Sequence, residues 1–320
     1  MLARSAFRFI STKPRVLVTK KRGDARSHHA QVKLVDWLDA HGVSYVLDPT
    51  DPDSNMSGSL PTESIDLIIC LGGDGTVLRT VDSFGSEVRC GDGKATELPP
   101  VLAFAVGSLG FLTPHSFASF QSTLAHVFSR DLSSLPVTRR SRLRCEYSKA
   151  DGACRGVHRV LNECLVARGS RTAFHKLDVL VDGQFVAQFQ ADGIIVATPS
   201  GSSAYSLAAG GSLVAPNVPA ILVTPVAPHG LSTRPLILPD SAKVTIRVPE
   251  NSRSLPIVSF DGQLETELSR GEYVDISTAA QTVCFVRNLD QTNTTPPLYE
   301  WFSSLRSKLH WAQELRSVEN

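Results

Sequence analysis

A glycine-rich segment built around a single aspartate carries the clearest chemistry in this sequence. The segment consists of Gly72, Gly73, Asp74, Gly75 and Thr76. Glycines allow backbone N–H groups to approach a phosphate closely, and a helix that starts here adds partial positive charge for the same anion. Because a carboxylate repels phosphate, Asp74 needs another task, such as holding a metal, accepting a proton or hydrogen-bonding a hydroxyl. A kinase active site needs all three, so the segment indicates phosphoryl transfer.

The segment differs from two better-known phosphate-binding motifs. It lacks the Gly-Lys-Ser/Thr of a Walker A loop, and Leu78 occupies the third glycine position of a dinucleotide fingerprint. The alternative interpretation is a tight strand-to-helix turn in which Asp74 only caps the helix. Other parts of the chain must therefore decide between these two interpretations.

A second glycine segment follows another apolar run. The run Val101 to Val106 predicts a buried strand, and Gly107 and Gly110 punctuate the residues after it, which lead to Phe111. In a parallel sheet both glycine segments would lie at the carboxyl ends of their strands, where ligands bind in open α/β folds. The alternative is an ordinary turn.

Two adjacent polar residues, Asn162 and Glu163, interrupt the apolar run 160–167. Buried polar groups cost free energy unless a partner satisfies them, so this pair can face a ribose diol and an adenine edge. The alternative is a pair on an edge strand that faces water.

Three further groups offer polar contacts. Asp192 and Gly193 precede a strand-like run, and 198–205 follows it with several hydroxyls and Tyr205. This segment can hydrogen-bond a polar ligand and stack on it, or it can be a capped helix with a core tyrosine. His229, near Arg234, is by default a surface histidine, and Asp261 by default begins a hairpin turn.

The elements that must position these residues fall into two types. Strand-like and helix-like runs alternate over 15–135, which predicts an α/β domain with a parallel sheet. The predicted strands are 15–19, 43–47, 65–71 and 101–106. The predicted helices are 28–41, a helix that begins at Thr76, and 116–128. Over 136–290 the runs are short and β-branched, with Asp182-Gly183 and Asp261-Gly262 as hairpin turns, so we expect an all-β sandwich. An amphipathic helix at 297–316 is expected to pack on the first domain or, alternatively, on another subunit.

Composition narrows the classes of function. The length of 320 residues is typical of two domains, and a net charge of +1 gives no reason to expect nucleic acid. The six cysteines lack C-x-x-C spacing, which argues against a zinc site or a disulfide framework. No apolar run reaches the length of a membrane span, so no membrane partner is expected. Residues 1–14 begin with a basic, acid-free, amphipathic stretch that resembles a mitochondrial transit peptide, which predicts a mitochondrial protein. The alternative is that this stretch is a peripheral tail and that the enzyme is cytoplasmic.

Taken in order, these motifs resemble the NAD kinase family from residue 15 to residue 311. Residues 72–76 resemble its GGDGT motif, 162–163 its NE motif, and 192–205 its hydroxyl-rich DG…TPTGSTAY motif. Ser200 and Ser203 replace the usual threonines, and Gly230 and Thr233 replace a usual serine and phenylalanine. The resemblance implies an α/β N-terminal domain and a β-sandwich C-terminal domain with NAD between them. It also implies ATP as donor, Mg²⁺ as cofactor, NADP as product, and a homodimer or homotetramer.

The resemblance also implies roles for individual residues. Asp74 would accept the proton of the adenosine 2′-hydroxyl. Asn162 and Glu163 would contact the adenosine part of NAD, and Asp192 would contact the nicotinamide end. The full set expected to bind the nucleotides is Gly72, Gly73, Gly75, Thr76, Phe111, Asn162, Glu163, Asp192, Ser203, Ala204, Tyr205, Ser206 and Asp261. A lipid kinase of the diacylglycerol or sphingosine type and a non-catalytic dinucleotide sensor remain as alternatives.

Overall fold

A computed structural model describes residues 14–52, 65–85, 98–169, 175–252, 255–288 and 297–309. The chain divides into two compact units. Unit 1 comprises Met1–Thr80, Pro99–Thr138 and Cys284–Asn320, and unit 2 comprises Val81–Leu98 and Arg139–Val283. The segment expected to be a transit peptide or a tail lies, apart from its last residue, outside the described ranges.

The described residues form nineteen strands and five α-helices. The strands are β1 (Arg15–Lys20), β2 (Ser44–Leu47), β3 (Leu67–Gly72), β4 (Val101–Ala105), β5 (His115–Ser116), β6 (Val137–Arg140), β7 (Leu143–Ser148), β8 (Cys154–Val160), β9 (Glu163–Arg168), β10 (His175–Val181), β11 (Gln184–Ala191), β12 (Gly193–Ala197), β13 (Ala220–Val226), β14 (Leu236–Pro239), β15 (Val244–Arg247), β16 (Pro256–Phe260), β17 (Gln263–Glu267), β18 (Tyr273–Thr278) and β19 (Val283–Val286). The helices are α1 (Ala25–Ala40), α2 (Asp74–Gly85), α3 (Phe120–Phe128), α4 (Tyr205–Ala208) and α5 (Pro297–Leu309).

A mostly parallel sheet forms the centre of unit 1. Its strand order is β2-β1-β3-β4-β19-β6, and the short β5 pairs with β4. The pairs β1–β2, β1–β3, β3–β4 and β4–β19 are parallel. Every residue of β3 and β4 is buried, as expected of central strands covered on both faces. The run that forms β19 was predicted to belong to the β-sandwich, but in the structure it pairs within this sheet.

The first two helices begin earlier than their apolar spacing predicts. α1 starts at Ala25 because the carboxylate of Asp24 caps it, accepting from the backbone N of Ser27 at 2.8 Å. α2 starts at Asp74 rather than Thr76, since the carbonyl of Gly73 already accepts from the backbone N of Val77 at 3.4 Å. The first turns of both helices are polar, so periodicity does not reveal them.

Helix α3 is also shorter than predicted. The segment expected to be helical from Ser116 begins with the end of β5 and a 3₁₀ turn at Phe117–Ser119, and α3 itself starts at Phe120. The hydroxyl of Ser116 accepts from the backbone N of Ala118 at 3.3 Å, which favours the tighter turn.

Unit 2 consists of two six-stranded sheets. Their strand orders are β11-β10-β15-β18-β7-β8 and β14-β13-β12-β9-β16-β17. Side chains of both sheets share one apolar core, including Val166 and Ile194 from one and Val179 and Ile276 from the other. The predicted fold class, an α/β domain with a parallel sheet and a β-sandwich, is confirmed. Asp182 and Asp261 adopt left-handed conformations, with φ of 51° at each, in hairpin turns where they were predicted.

One predicted strand is in fact two. The run 160–167 was expected to be a continuous strand, but β8 ends at Val160 and β9 starts at Glu163. The bend between them contains Leu161 and Asn162. Its backbone groups form hydrogen bonds with side chains and with a neighbouring loop rather than with an adjacent strand. This break is what shapes one part of the candidate site.

Helix α5 belongs to unit 1. Its Leu305 is 1% exposed, and its Glu300 pairs with Arg287 at 3.0 Å. The remainder of the helix predicted to reach residue 316 lies outside the described residues. No helix in the described part of the chain has the length and apolar character needed to cross a membrane.

The cysteines match what their sequence surroundings indicate. Five of the six are described, and none of these five forms a disulfide within the described part of the chain. Cys70 in β3 and Cys284 in β19 are buried, as expected, and burial raises the pKa of Cys70 to about 12.

Candidate active site

Asp74 joins the two glycine segments of unit 1. One carboxylate oxygen accepts from the backbone N of Phe111 at 2.8 Å. The other accepts from the backbone N of Leu112 at 2.9 Å and from the hydroxyl of Thr113 at 3.3 Å. β3 and β4 are neighbours in the parallel sheet, so their carboxyl ends bring these segments together as the sequence predicts. The ends of two buried strands thus fix the position of one carboxylate.

The close fit around Asp74 explains a glycine in the second segment. A Cβ atom on Gly110 would overlap the carboxylate of Asp74 and the hydroxyl of Thr113. Instead, the backbone N of Gly110 donates to the hydroxyl of Thr113 at 2.7 Å. Sequence reasoning selected this segment but missed Thr113, because a lone threonine after a glycine turn gives no chemical signal.

Asp74 keeps some capacity to bind another group. A carboxylate has about four positions at which it can accept hydrogen bonds. The structure fills three of them, two on Oδ1 and one on Oδ2. Among the described residues no donor fills the second position on Oδ2, so it is available to a donor such as a ligand hydroxyl.

The glycines of the first segment divide into two kinds. A Cβ atom on Gly72 would collide with the side chain of Thr76, so packing within the protein explains this glycine. Apart from its chain neighbours and the helix backbone, a Cβ atom on Gly73 or Gly75 would meet no atom of the described residues within 4 Å. Since internal packing does not require them, Gly73 and Gly75 suit an approach by an external group to their backbone N–H groups.

A cavity of about 280 Å³ adjoins this segment in unit 1. It lies at the carboxyl ends of β1, β3 and β4, the edge where α/β folds bind ligands. Two basic side chains among its lining residues favour an anion. The lining consists of Lys21, Asp24, Arg26, Ser27, Gly72, Gly73, Val106, Gly107 and Ser108.

Lys308 of α5 adds a buried cation to the same region. Its ammonium lies 5.3 Å from the centre of the Phe111 ring. The nitrogen is buried and has no hydrogen-bond partner among the described residues. Burial lowers the pKa of Lys308, and the negative charge of Asp74 opposes that shift. Sequence reasoning missed this residue, since a lysine on an amphipathic helix is usually solvated.

In unit 2, Asp261 holds the bend that contains Asn162 and Glu163. Its carboxylate accepts from the backbone N atoms of Leu161, Asn162 and Glu163 at 2.7, 2.8 and 3.0 Å. Its own backbone N donates to the carbonyl of Glu163 at 2.9 Å. A hairpin turn therefore clamps a distant bend, which is more than the default turn role assigned to Asp261.

The hydroxyl-rich segment after β12 reaches the same bend. The backbone N of Thr198 donates to the carbonyl of Asn162 at 2.9 Å, and its hydroxyl donates to the carbonyl of Leu161 at 2.5 Å. A Cβ atom on Gly201 would overlap the backbone of Asn162, so only glycine permits this approach. The structure thus brings together three of the motifs predicted in this region.

The acidic groups at this bend are perturbed. Burial, and secondarily the charge of Asp261, raises the pKa of Glu163 to about 8. Burial also raises the pKa of Asp261, to about 6, against the opposing effect of its three backbone donors. Glu163 Oε2 is buried with no hydrogen-bond partner in the described part of the chain. A protonated Glu163 side chain can donate a hydrogen bond to a ligand.

The other predicted residues of unit 2 differ in availability. Tyr205 is 41% exposed, which leaves its ring available for stacking. Ser203 donates to the carbonyl of Ser200 at 3.2 Å, whereas the hydroxyl of Ser206 is buried against that of Thr224 at 2.8 Å.

Asp192, which was predicted to bind NAD, and Arg234, which was named only as a neighbour of His229, are both engaged by protein partners. Asp192 is 25% exposed and forms an ion pair with Arg168 at 3.2 Å. Arg234 donates to the carbonyls of Leu231 and Thr233 in an exposed loop, which supports no binding role.

The donor set of the first glycine segment fits magnesium carried by a nucleotide. Within the described ranges, no three or more His, Cys, Asp or Glu side chains form a group able to hold a metal. Mg²⁺ commonly binds one or two carboxylates and completes its shell with water and phosphate oxygens. Asp74 with one open acceptor position meets that requirement.

Comparison with known proteins identifies the family. The description "ATP-NAD kinase N-terminal domain" matches residues 58–132, and "ATP-NAD kinase C-terminal domain" matches residues 161–288. NAD kinase 2, chloroplastic, of Arabidopsis thaliana is 43% identical over 256 residues, which cover 79% of this chain and 24% of that protein. The mitochondrial NADH kinase of Saccharomyces cerevisiae is 38% identical over 245 residues, or 74% of this chain and 56% of that protein.

Solved structures agree with these matches. The crystal structure of yeast NADH kinase complexed with NADH is 31% identical with a TM-score of 0.80, covering 96% of this chain and 90% of that chain. An NAD kinase from Archaeoglobus fulgidus in complex with ATP shares the fold, at 24% identity and a TM-score of 0.68, covering 92% of this chain and 99% of that chain. The sequence spans only about a quarter to just over half of the two curated relatives described above. The chain belongs to the NAD kinase family.

Proposed function

We propose that this protein is an NAD kinase. It transfers the γ-phosphoryl group of ATP to the 2′-hydroxyl of the adenosine ribose of NAD and produces NADP and ADP. The observation that carries the proposal is the setting of Asp74. Its carboxylate is fixed by three donors, retains one acceptor position, and lies beside glycines that leave room for phosphate.

Asp74 is the proposed catalytic residue. Its open acceptor position receives the 2′-hydroxyl and directs the oxygen at the γ-phosphorus. As the new P–O bond forms, the bond to the bridging oxygen of ADP breaks and Asp74 takes the hydroxyl proton. Because phosphoryl transfer proceeds through a loose transition state, orientation contributes more than early proton removal.

The ATP phosphates are proposed to bind at the first glycine segment and the adjoining cavity. Gly73 and Gly75 leave open space where other residues would carry a Cβ, and Lys21 and Arg26 bring positive charge to the cavity. When bound with the triphosphate, Mg²⁺ would neutralise phosphate charge. Because the open position of Asp74 is proposed to receive the 2′-hydroxyl, phosphate oxygens and water would complete the shell of the ion.

The residues of unit 2 are proposed to recognise NAD. Asn162 and Glu163 contact the adenosine, and a protonated Glu163 donates from Oε2, which has no hydrogen-bond partner among the described residues. Asp192 contacts the nicotinamide end, at the cost of its present ion pair with Arg168. The remaining proposed contacts to adenine and ribose come from Ser203, Ala204, Tyr205 and Phe111.

Two residues expected to touch NAD have supporting roles in this proposal. The carboxylate of Asp261 is used by three backbone donors, and the hydroxyl of Ser206 is used by Thr224. Both are proposed to position the contact residues, and the second acceptor position on Asp261 Oδ2 is proposed to receive a donor of NAD.

We also propose a homodimer or homotetramer and a mitochondrial location. The location rests on the basic, acid-free residues 1–10 and on a yeast relative named as mitochondrial. Sedimentation of the purified protein tests the assembly. Fractionation of cells that produce the full chain with a C-terminal tag tests the location, and recovery in the cytosol would contradict it.

The central experiment measures phosphoryl transfer with γ-labelled ATP and Mg²⁺. NAD and NADH are offered as separate acceptors, because relatives carry both names, and a diacylglycerol serves as the third. We expect label in NADP or NADPH and none in lipid. Labelled phosphatidate would establish a lipid kinase instead, and NAD binding without ADP formation would establish a sensor.

A further inference from the structure

The ammonium of Lys308 in unit 1 is a buried charge whose burial the residues described so far do not explain. It is buried and has no hydrogen-bond partner in the described ranges. Burying a charge is unfavourable unless an opposite charge or hydrogen bonds compensate it. A structural lysine at this place would be expected to extend its head into water or to form an ion pair.

The neighbours of Lys308 compensate its charge only in part. The Phe111 ring attracts the ammonium across 5.3 Å, a contact weaker than hydrogen bonding to an anion. Asp74 acts on it electrostatically, yet the two form no ion pair within the described residues. The ammonium is therefore held near the carboxylate without closing on it.

Phe111 links this cation to the proposed catalytic residue. Its backbone N donates to Asp74 at 2.8 Å, while its ring holds the Lys308 ammonium. The positions of the carboxylate and the cation thus depend on the same residue. A hydroxyl oxygen bound to Asp74 would lie in the electrostatic field of Lys308, and so would a phosphorus bonded to that oxygen.

We propose that Lys308 binds the phosphoryl group during its transfer. The ammonium pairs with non-bridging oxygens of the γ-phosphoryl group while it passes from ATP to the hydroxyl held by Asp74. It stays against the same oxygens in the product, where they form the 2′-phosphate of NADP. This inference rests on the proposed NAD kinase activity and adds a cation from α5 to the site.

The pairing explains the buried, unpartnered state. Before substrate binds, Lys308 is desolvated and needs no solvent reorganisation to meet the phosphoryl oxygens. A preorganised cation in a site of low polarity stabilises developing charge more strongly than a solvated one. The free energy lost by burying the ammonium is offset when the phosphoryl group arrives.

The test compares three variants of α5 in the full chain. Lys308→Met keeps the apolar stem and removes the charge, and Lys308→Arg keeps the charge. Arg306→Met is the matched control, since Arg306 lies exposed on the same helix with its guanidinium 5.9 Å from the Tyr299 ring. Each variant is measured for kcat, for the KM values of NAD and ATP, and for the binding of NAD and of NADP by calorimetry.

We expect Lys308→Met to lower kcat about 100-fold while the KM for NAD changes less than about threefold, as for loss of one transition-state donor. NADP affinity should fall about tenfold more than NAD affinity, because only NADP carries the phosphate. Lys308→Arg should restore a large part of both losses, and Arg306→Met should match the wild type.

Two outcomes would overturn the inference. An unchanged kcat in Lys308→Met would remove the role in transfer, and equal losses of NAD and NADP affinity would indicate packing alone. If Lys308→Met does not fold, Lys308→Gln carries the same comparison. A wild-type protein that forms no NADP would instead refute the proposed function itself, so the two failures are distinguishable.

Discussion

Two aspartates, one in each unit, have similar local surroundings and different chemical capacity. Asp74 accepts hydrogen bonds from the backbone N atoms of Phe111 and Leu112. Asp261 accepts from three successive backbone N atoms, beginning at Leu161. Each carboxylate therefore fixes the course of a loop that is distant in sequence.

The difference lies in burial and in the nearby groups, because each carboxylate accepts from three donors of the described residues, two at Oδ1 and one at Oδ2. Near Asp261 lie two acids, Glu163 and Asp82, and the buried guanidinium of Arg142, and burial raises the pKa of Asp261 to about 6. Near Asp74 lie the ammonium of Lys308 and two glycines, Gly73 and Gly75, at which an added Cβ would meet open space. We therefore assign the buried carboxylate of Asp261 to holding the bend, and the carboxylate of Asp74, beside glycines that leave room for a ligand, to the reaction. The comparison predicts that Asp74 affects turnover and Asp261 affects stability.

The largest effect is expected for Asp74→Asn. The amide removes the proton acceptor and places an NH₂ group where the carboxylate accepted from the backbone of unit 1. We expect kcat to fall by about two to four orders of magnitude, the range for loss of a general base. The measurement is the rate of NADP formation at saturating NAD and ATP. Turnover close to the wild-type value would refute the catalytic role.

A second variant separates orientation from base catalysis. Thr113→Val removes the hydroxyl that donates to Asp74 and accepts from Gly110, but leaves the carboxylate intact. Its kcat should fall less than that of Asp74→Asn. Equal losses would show that holding the loop, rather than accepting a proton, dominates the contribution of Asp74.

For Asp261→Ala the expected effect is on folding. Three backbone N–H groups at the bend lose their acceptor, and orphaned buried donors are costly. We expect the free energy of unfolding to fall by about 3 kcal/mol, and the KM for NAD to rise because Asn162 and Glu163 lose their support. Denaturant unfolding and steady-state kinetics provide the two measurements. Wild-type stability with a kcat as low as that of Asp74→Asn would reverse the assigned roles.

Two glycines, Gly75 in unit 1 and Gly201 in unit 2, test the same contrast between turnover and stability with smaller expected effects. Gly75→Ala introduces a Cβ into open space, whereas Gly201→Ala forces one into the backbone of Asn162. We expect Gly75→Ala to keep the wild-type melting temperature and to raise the KM for ATP about tenfold, a change of about 1.4 kcal/mol. Gly201→Ala should lose about 1 to 3 kcal/mol of stability through overpacking. An unchanged KM in Gly75→Ala would argue against a phosphate at that glycine.

How far the sequence predicts this site depends on which atoms form each contact. The meeting of residues 72–76 with residues 107–112 follows from two buried strands of one parallel sheet, and the structure has it. The partners of Asp74 and Asp261 do not follow, since backbone N–H groups are present at nearly every residue. Lys308 is close to Phe111 only because α5 packs within unit 1, and no local pattern records that contact.

The bend at Asn162 shows the same limit from another side. An apolar run with strand-forming residues predicts one strand from 160 to 167. The structure interrupts it because the carboxylate of Asp261 and the loop at Thr198 supply the backbone with other hydrogen-bond partners. Local propensity was therefore overridden by contacts from distant parts of unit 2, at the place where NAD recognition is proposed.

The smallest expected effect concerns Glu163 and the pH dependence of stability. Burial raises its pKa in the folded protein from 4.5 to about 8. Between these values the folded protein binds more protons than the unfolded chain, so the stability linked to Glu163 falls as pH rises across that window. Below pH 4.5 both states are protonated, and above about 8 both are ionised and the loss is complete.

Glu163→Gln tests this linkage because it keeps the shape and removes the ionisation. We expect the variant to have a higher melting temperature than the wild type at pH 8.5, by about 2 to 4 °C for each kcal/mol gained in the free energy of unfolding. This difference should shrink as the pH falls toward 4.5. Asp192→Asn is the control, since Asp192 is partly exposed and paired with Arg168. A difference between Glu163→Gln and the wild type that stays constant from pH 5 to pH 8.5 would show that Glu163 is ionised in the folded protein. The raised pKa of Glu163 would then be wrong, and Glu163 could only accept hydrogen bonds from its ligand.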